Sequence, residues 1–147
     1  MDEFWGTFTG LKAWQDRLMK GYYNDGYVTS LTGRKHNYPL TRNEAINFPV
    51  QGIAADIVCN AMNTLSEQAI SSGDWHIHPV LNIHDDLTFI VPDNDAVLDD
   101  TIRRICQVML KPSYDFINVP LSVKCSVGTN WYEMDVVDKF WSHKDVR

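Results

Sequence analysis

Between residues 50 and 65 the sequence VQGIAADIVCNAMNTL places Ile53, Ile57, Ala61 and Leu65 on one helical stripe, which Val50, Ala54, Val58 and Met62 widen. Apolar residues at three- and four-residue intervals share one side of an α-helix, and a stripe this long must be buried against another layer. Upstream, Thr41 and Glu44 have the spacing of a capping box. Pro49 opens a second helix or kinks the first. Gly73 marks the end. The rest of the chain must therefore supply a layer that covers one face of a long, well-buried helix.

Strands supply part of that layer. Residues 77–83 and 87–91 read as two apolar strands about a tight turn, and YVTSLTGRKHNYPL (27–40) as a short hairpin whose far arm carries Arg34, Lys35 and His36. In PLSVKCSVG, Leu121, Val123, Cys125 and Val127 alternate with Ser122, Lys124 and Ser126, the pattern of a strand with one buried face. Two further helices complete the set. One runs over 11–23, with Leu11, Trp14, Leu18 and Tyr22 on its apolar side and NDG at its end. The other is capped by Asp93, Asn94 or Asp95, runs to about Leu110, and has its stripe on Val97, Leu98, Ile102, Ile105 and Met109. A polar and aromatic tail closes the chain. Antiparallel strands with helices on one face make an α+β layer fold. With 147 residues, no repeat and no linker, a single domain over 1–147 is expected.

Charge and composition narrow the function. Hydrophobic residues make up 44% of the chain and charged residues 22%, the balance of a globular domain. No apolar run approaches the ~20 residues of a membrane helix. The acidic start MDEFWGTF lacks the basic and apolar parts of a secretory signal, so an intracellular, cytoplasmic protein is expected. Cys59, Cys106 and Cys125 fit no disulfide framework and no CxxC metal pattern, and are expected to be buried free thiols. The net charge of −6 is uneven. Residues 1–60 hold six basic and six acidic residues, whereas 61–147 hold seven basic and thirteen acidic. Six aspartates lie between Asp85 and Asp100 without a basic residue among them, a cluster that repels phosphate unless a cation sits in it.

The chemistry-bearing candidate is the turn in NIHDDLTFIVP. Acidic residues are common in turns for reasons unrelated to catalysis. Here, however, apolar flanks hold the turn, and His84 adjoins Asp85 and Asp86. Paired carboxylates suit Mg²⁺, a hard ion bound through one or two carboxylates together with phosphates and water. Two such ions about 3.5–4 Å apart can activate an attacking oxygen and stabilise a leaving one. Asn47 and Gln51 add polar groups at a regular interval where the long helix begins.

At these residues the chain resembles the C-terminal palm region of family A DNA polymerases, particularly the phage enzymes. The resemblance rests on GYVTSLTGRKHNYP, NFPVQGIAADIV, NIHDDLTFIVP and VPLSVKCSVGTNWYEM in that order, from about residue 10 to residue 134. It implies the antiparallel palm sheet with helices on one face, with a remnant of the fingers in the N-terminal part. It implies template-directed nucleotidyl transfer with two Mg²⁺ ions. Asp85 would be a metal-binding aspartate. Asp86 would support it, standing where the family usually has Glu, and His84 would lie against the primer end. Asn47 and Gln51 would contact primer and template in the minor groove, whose acceptors are nearly the same for every base pair. Arg34, Lys35 and Arg42 would touch DNA phosphate, with a solvated surface charge as the other reading of each.

The sequence departs from the family in what it lacks. There is no earlier DYS-like motif with the other catalytic aspartate, since Asp2, Asp16 and Asp25 stand in other contexts. There is no Arg-x₃-Lys helix to grip a triphosphate. The isolated chain is therefore expected to be inactive. Its implied partners are primer–template DNA, a dNTP and the remaining polymerase segment, and no membrane. Self-association is a further expectation, because a palm piece alone exposes apolar surface, with Trp5, Trp14 and Trp131 as candidates to line it. Two other readings stand beside this one. The first is a non-catalytic module that binds primer–template DNA or a protein partner. The second is a metal-dependent nuclease in which Asp56 or Asp135 joins Asp85 and Asp86.

Overall fold

A computed structural model describes residues 2–111, 114–137 and 141–142. The chain is α+β, with four helices and small antiparallel sheets among the described residues, and it divides into two compact units, residues 1–56 and 57–147.

In the first unit, α1 (Asp2–Thr7) precedes α2 (Thr9–Asp25). Gly26 ends α2 in the left-handed region, with φ 77°, and its N–H returns to the Tyr22 carbonyl. That geometry suits a glycine, so the NDG signal was a true stop. β1 (Tyr27–Thr29) then pairs antiparallel with β2 (Lys35–Asn37), Val28 opposite His36. The core of this unit is Met19, Tyr22, Val28 and Ala45, with Leu18, Leu40, Ile46 and Phe48 against it. Of the stripe expected on α2, Tyr22 is buried and Trp14 and Leu18 are half-buried. Met19 is buried, whereas Leu11 is 40% exposed. The Tyr22 hydroxyl is buried but satisfied, accepting from the Leu40 N–H and donating to the Leu40 carbonyl.

The long helix, α3 (Arg42–Ser72), begins in the first unit and continues into the second. Its capping box is formed. The Glu44 carboxylate accepts from the Thr41 N–H and hydroxyl, both at 2.8 Å, and the Glu44 N–H donates back to Thr41 Oγ1. Pro49 lies inside the helix and does not divide it. The stripe is deepest late: Ala61, Leu65 and Ala69 are buried, while Val50 is 59% exposed.

In the second unit a 3₁₀ turn at Trp75–Ile77 takes the place expected for the start of a strand. Asp74 caps this turn, accepting from the His76 N–H, and the Arg104 guanidinium holds the same carboxylate. The strand, β3, is confined to Leu81–Ile83 and pairs with β4 (Asp86–Thr88). α4 (Asp95–Met109) is capped by Asn94, whose Oδ1 accepts from the Val97 N–H. The core is Leu65, Ala69, Ile77 and Ile105, with Leu87, Phe89, Val108 and Met109 against it.

The strand expected over PLSVKCSVG is broken in two. β5 (Ser122–Val123) pairs with β8 (Trp141–Ser142), and β6 (Ser126–Val127) pairs with β7 (Asp135–Val136). The alternation survives the break, with Val123, Cys125 and Val127 half-buried and Ser122, Lys124 and Ser126 exposed. Among the described residues the expected single antiparallel sheet is thus four two-stranded ones. Residues 138–140 and 143–147 of the tail lie outside the described residues. No described helix is long and apolar enough to cross a membrane.

Candidate functional site

The acidic turn stands on the β3–β4 hairpin. Ile83 is paired with Asp86, so His84 and Asp85 form a two-residue turn. His84 has φ 57°, the positive-φ non-glycine residue among those described. A positive φ at the first turn residue is the geometry whose twist matches a tight hairpin. Asn82 fastens the turn from within, its side-chain amide reaching the His84 and Asp86 carbonyls, each at 3.4 Å. Sequence reading passed over Asn82. Its signal was a polar side chain interrupting the apolar run just before the turn.

The two faces of this hairpin differ. Leu87 and Phe89 pack on the unit's core and anchor it. His84, Asp85 and Asp86 are all exposed. So are Val80, Leu81, Ile83 and Ile90, at 52%, 39%, 48% and 71%. An isolated two-stranded hairpin is marginal in water, so the core behind β4 is what holds the turn in place. No described Lys, Arg or His pairs with Asp85 or Asp86. The two carboxylates leave their oxygens directed at water, a donor set that fits Mg²⁺. Among the described residues no three His, Cys, Asp or Glu side chains gather into one metal-holding group.

The other candidates belong to the first unit. Asn47 and Gln51 are both exposed on α3, one helical repeat apart. Asn43 continues the same row one repeat earlier and was not anticipated, although the four-residue interval marks it. Arg42, Asn43 and Asn47 line a cleft of about 490 Å³ together with Trp5, Lys12 and Gln15. Arg42 lies 3.7 Å from Asp16, with both side chains more than half exposed.

Arg34 and Lys35 are not simply solvated. The Arg34 guanidinium is paired with Asp56. The Arg34 N–H donates to Ser30 Oγ, the Ser30 and Thr32 hydroxyls are 2.6 Å apart, and Thr32 donates to the other Asp56 oxygen. The Thr32 hydroxyl, then Arg34, hold the Asp56 carboxyl below the ordinary carboxylate range against the opposing effect of burial. This relay ties the turn between β1 and β2 to α3 and leaves half of the Arg34 side chain exposed. It also commits Asp56, one of the two aspartates of the nuclease reading, to a basic partner. The Lys35 ammonium lies 4.3 Å from the centre of the Tyr27 ring, a cation–π contact.

The family model described as DNA polymerase family A matches residues 1–133. DNA polymerase I of Chloroflexus aurantiacus is 28% identical over 144 residues, covering 91% of this chain and 15% of the relative. The chloroplastic/mitochondrial DNA polymerase I A of Arabidopsis thaliana is 33% identical over 134 residues, covering 83% of this chain and 12% of the relative. DNA polymerase theta of Drosophila melanogaster is 26% identical over 155 residues, covering 92% of this chain and 7% of the relative. The chain thus spans less than a sixth of the length of these relatives.

Proposed function

The chain belongs to DNA polymerase family A, and from that membership we propose that it is the C-terminal palm part of such a polymerase, active in template-directed nucleotidyl transfer once another segment completes the site. The observation that carries this reading is the β3–β4 hairpin, which holds Asp85 and Asp86 in water at the end of a core-anchored turn. Asp85 and Asp86 would hold Mg²⁺, with phosphate oxygens and a carboxylate from the other segment filling the remaining positions. Magnesium bound there would neutralise charge at the attacking 3′-hydroxyl and at the leaving pyrophosphate. His84, at the tip, would position the primer end.

In the first unit, Asn47 and Gln51 would donate to minor-groove acceptors without regard to sequence, with Asn43 extending that row. Arg42 and Lys12, on the cleft, and the exposed part of Arg34 would hold phosphate. A guanidinium has five N–H donors, so pairing with Asp56 does not exhaust Arg34.

Primer extension tests this directly, with Mg²⁺ and dNTPs, on the chain alone and mixed with a family A fragment carrying the missing aspartate and fingers. Extension is expected only in the mixture, and Asp85→Ala is expected to abolish it. Extension that persists in Asp85→Ala removes Asp85 from the site. Salt-sensitive primer–template binding without extension in either arm points instead to the non-catalytic binding module.

A further inference from the structure

The helix behind the acidic hairpin carries a thiol in close company. Cys106, on α4, is fully buried, and its Sγ lies 3.5 Å from Sγ of Cys125, which is half-buried between β5 and β6. The two are 19 positions apart in the chain, so the contact is tertiary. A disulfide needs its sulfurs at about 2.05 Å, so closure here asks for a movement of about 1.5 Å. The third thiol, Cys59, is exposed on α3.

We propose that Cys106 and Cys125 are an oxidisable pair that forms a reversible disulfide with a low-molecular-weight disulfide such as oxidised glutathione as electron acceptor. The more accessible Cys125 attacks first. The neighbouring Cys106 S–H donates to its sulfur, which favours the Cys125 thiolate, while burial opposes it. The Cys125 thiolate bonds to one glutathione sulfur and expels the other as a thiolate, leaving a mixed disulfide. Cys106 then passes its proton to the expelled thiolate, attacks Cys125 Sγ and releases the second glutathione. The protein loses two electrons and two protons, and one oxidised glutathione becomes two reduced ones. The same contact holds the Cys106 proton tightly until that second step.

The cross-link joins α4 to the β5–β6 segment. Ile105, next to Cys106, lies in the core that Leu87 and Phe89 of the hairpin strand pack against. Oxidation therefore fixes the layer that supports Asp85 and Asp86. In a reducing compartment such bonds are transient and report redox state.

The test uses the whole chain as its Cys59→Ser variant, which removes the competing exposed thiol, incubated with oxidised glutathione. The expected product is a monomer lighter by two hydrogens. It has no titratable thiol after unfolding, yields one proteolytic fragment joining Cys106 to Cys125, and has a raised thermal midpoint that dithiothreitol reverses. Adding Cys125→Ser, a near-isosteric change at a half-buried position, is expected to abolish the cross-link while a folded thermal transition remains. A stable glutathione adduct on Cys125 with Cys106 still titratable would overturn the proposal, as would a disulfide-linked dimer as the sole product.

Discussion

His84 occupies a backbone region that costs a side-chain-bearing residue roughly 1–2 kcal/mol. Its φ of 57° is imposed by the two-residue turn between paired Ile83 and Asp86. In helices and strands alanine is preferred to glycine, but at positive φ the order reverses. His84→Gly is therefore expected to be more stable than His84→Ala by about 1 kcal/mol in urea unfolding. The opposite order would mean that the turn relaxes out of the left-handed region. The identity of this residue was plain in the sequence, because a His beside two carboxylates between apolar runs singles itself out. Its strain was not, since His is not a residue that announces positive φ in the way glycine does. Arg34 teaches the complementary lesson. Sequence shows a basic residue on a hairpin arm, whereas Asp56, its partner, lies on another element and only the fold brings it there. Arg34→Ala leaves the Asp56 carboxylate with Thr32 alone, and is expected to lower stability as well as DNA affinity. Arg34→Lys is expected to recover part of the affinity without restoring the paired geometry, which urea unfolding and primer–template titration would separate.

Elements were legible where their signals are local. The Thr41–Glu44 box, the Gly26 stop and the cap of α4 each involve residues within one turn; the first two formed as expected, and of Asp93, Asn94 and Asp95 it is Asn94 that caps. The Thr41 side chain accepts from the Glu44 N–H and donates to the Glu44 carboxylate, so Thr41→Ala is expected to cost about 1 kcal/mol, measured by urea unfolding. An unchanged midpoint would show that the start of α3 is held by packing alone. Strand lengths were not legible. Alternation over 120–128 predicts one strand, but the backbone changes partner between Val123 and Ser126, and alternation records a buried face without recording which strand lies alongside. Gly128 shows the same limit. A Cβ there would collide with the Glu133 carbonyl, a close approach set by the β6–β7 pairing and absent from any local pattern. Gly128→Ala is expected to disrupt that pair at a cost of roughly 1–3 kcal/mol, and its amide resonances at Ser126 and Val136 are expected to shift most.

At the scale of the whole molecule the carboxylates divide into two kinds. Asp85 and Asp86 point into water without a described basic partner, whereas Glu44, Asp56 and Asp74 each serve the fold. All three of the latter are held below the ordinary carboxylate range: Glu44 by the Thr41 N–H and hydroxyl, Asp56 by Thr32 and then Arg34, Asp74 by Arg104 and the His76 N–H. A group whose folded pKa lies below its unfolded one releases its proton more readily when folded. Stability from that group is complete above the unfolded value, about 4, and is lost as pH falls through the depressed folded value. Urea midpoints are therefore expected to hold between pH 6 and pH 5 and to fall below pH 4, together with the general repulsion of an increasingly cationic chain. Replacing the three with Gln or Asn leaves most of that repulsion in place but removes the specific part. The triple variant is expected to start less stable at pH 6 and to lose less on going to pH 3. If wild type and variant lose stability in parallel, these contacts do not govern the acid limb, and charge repulsion alone does.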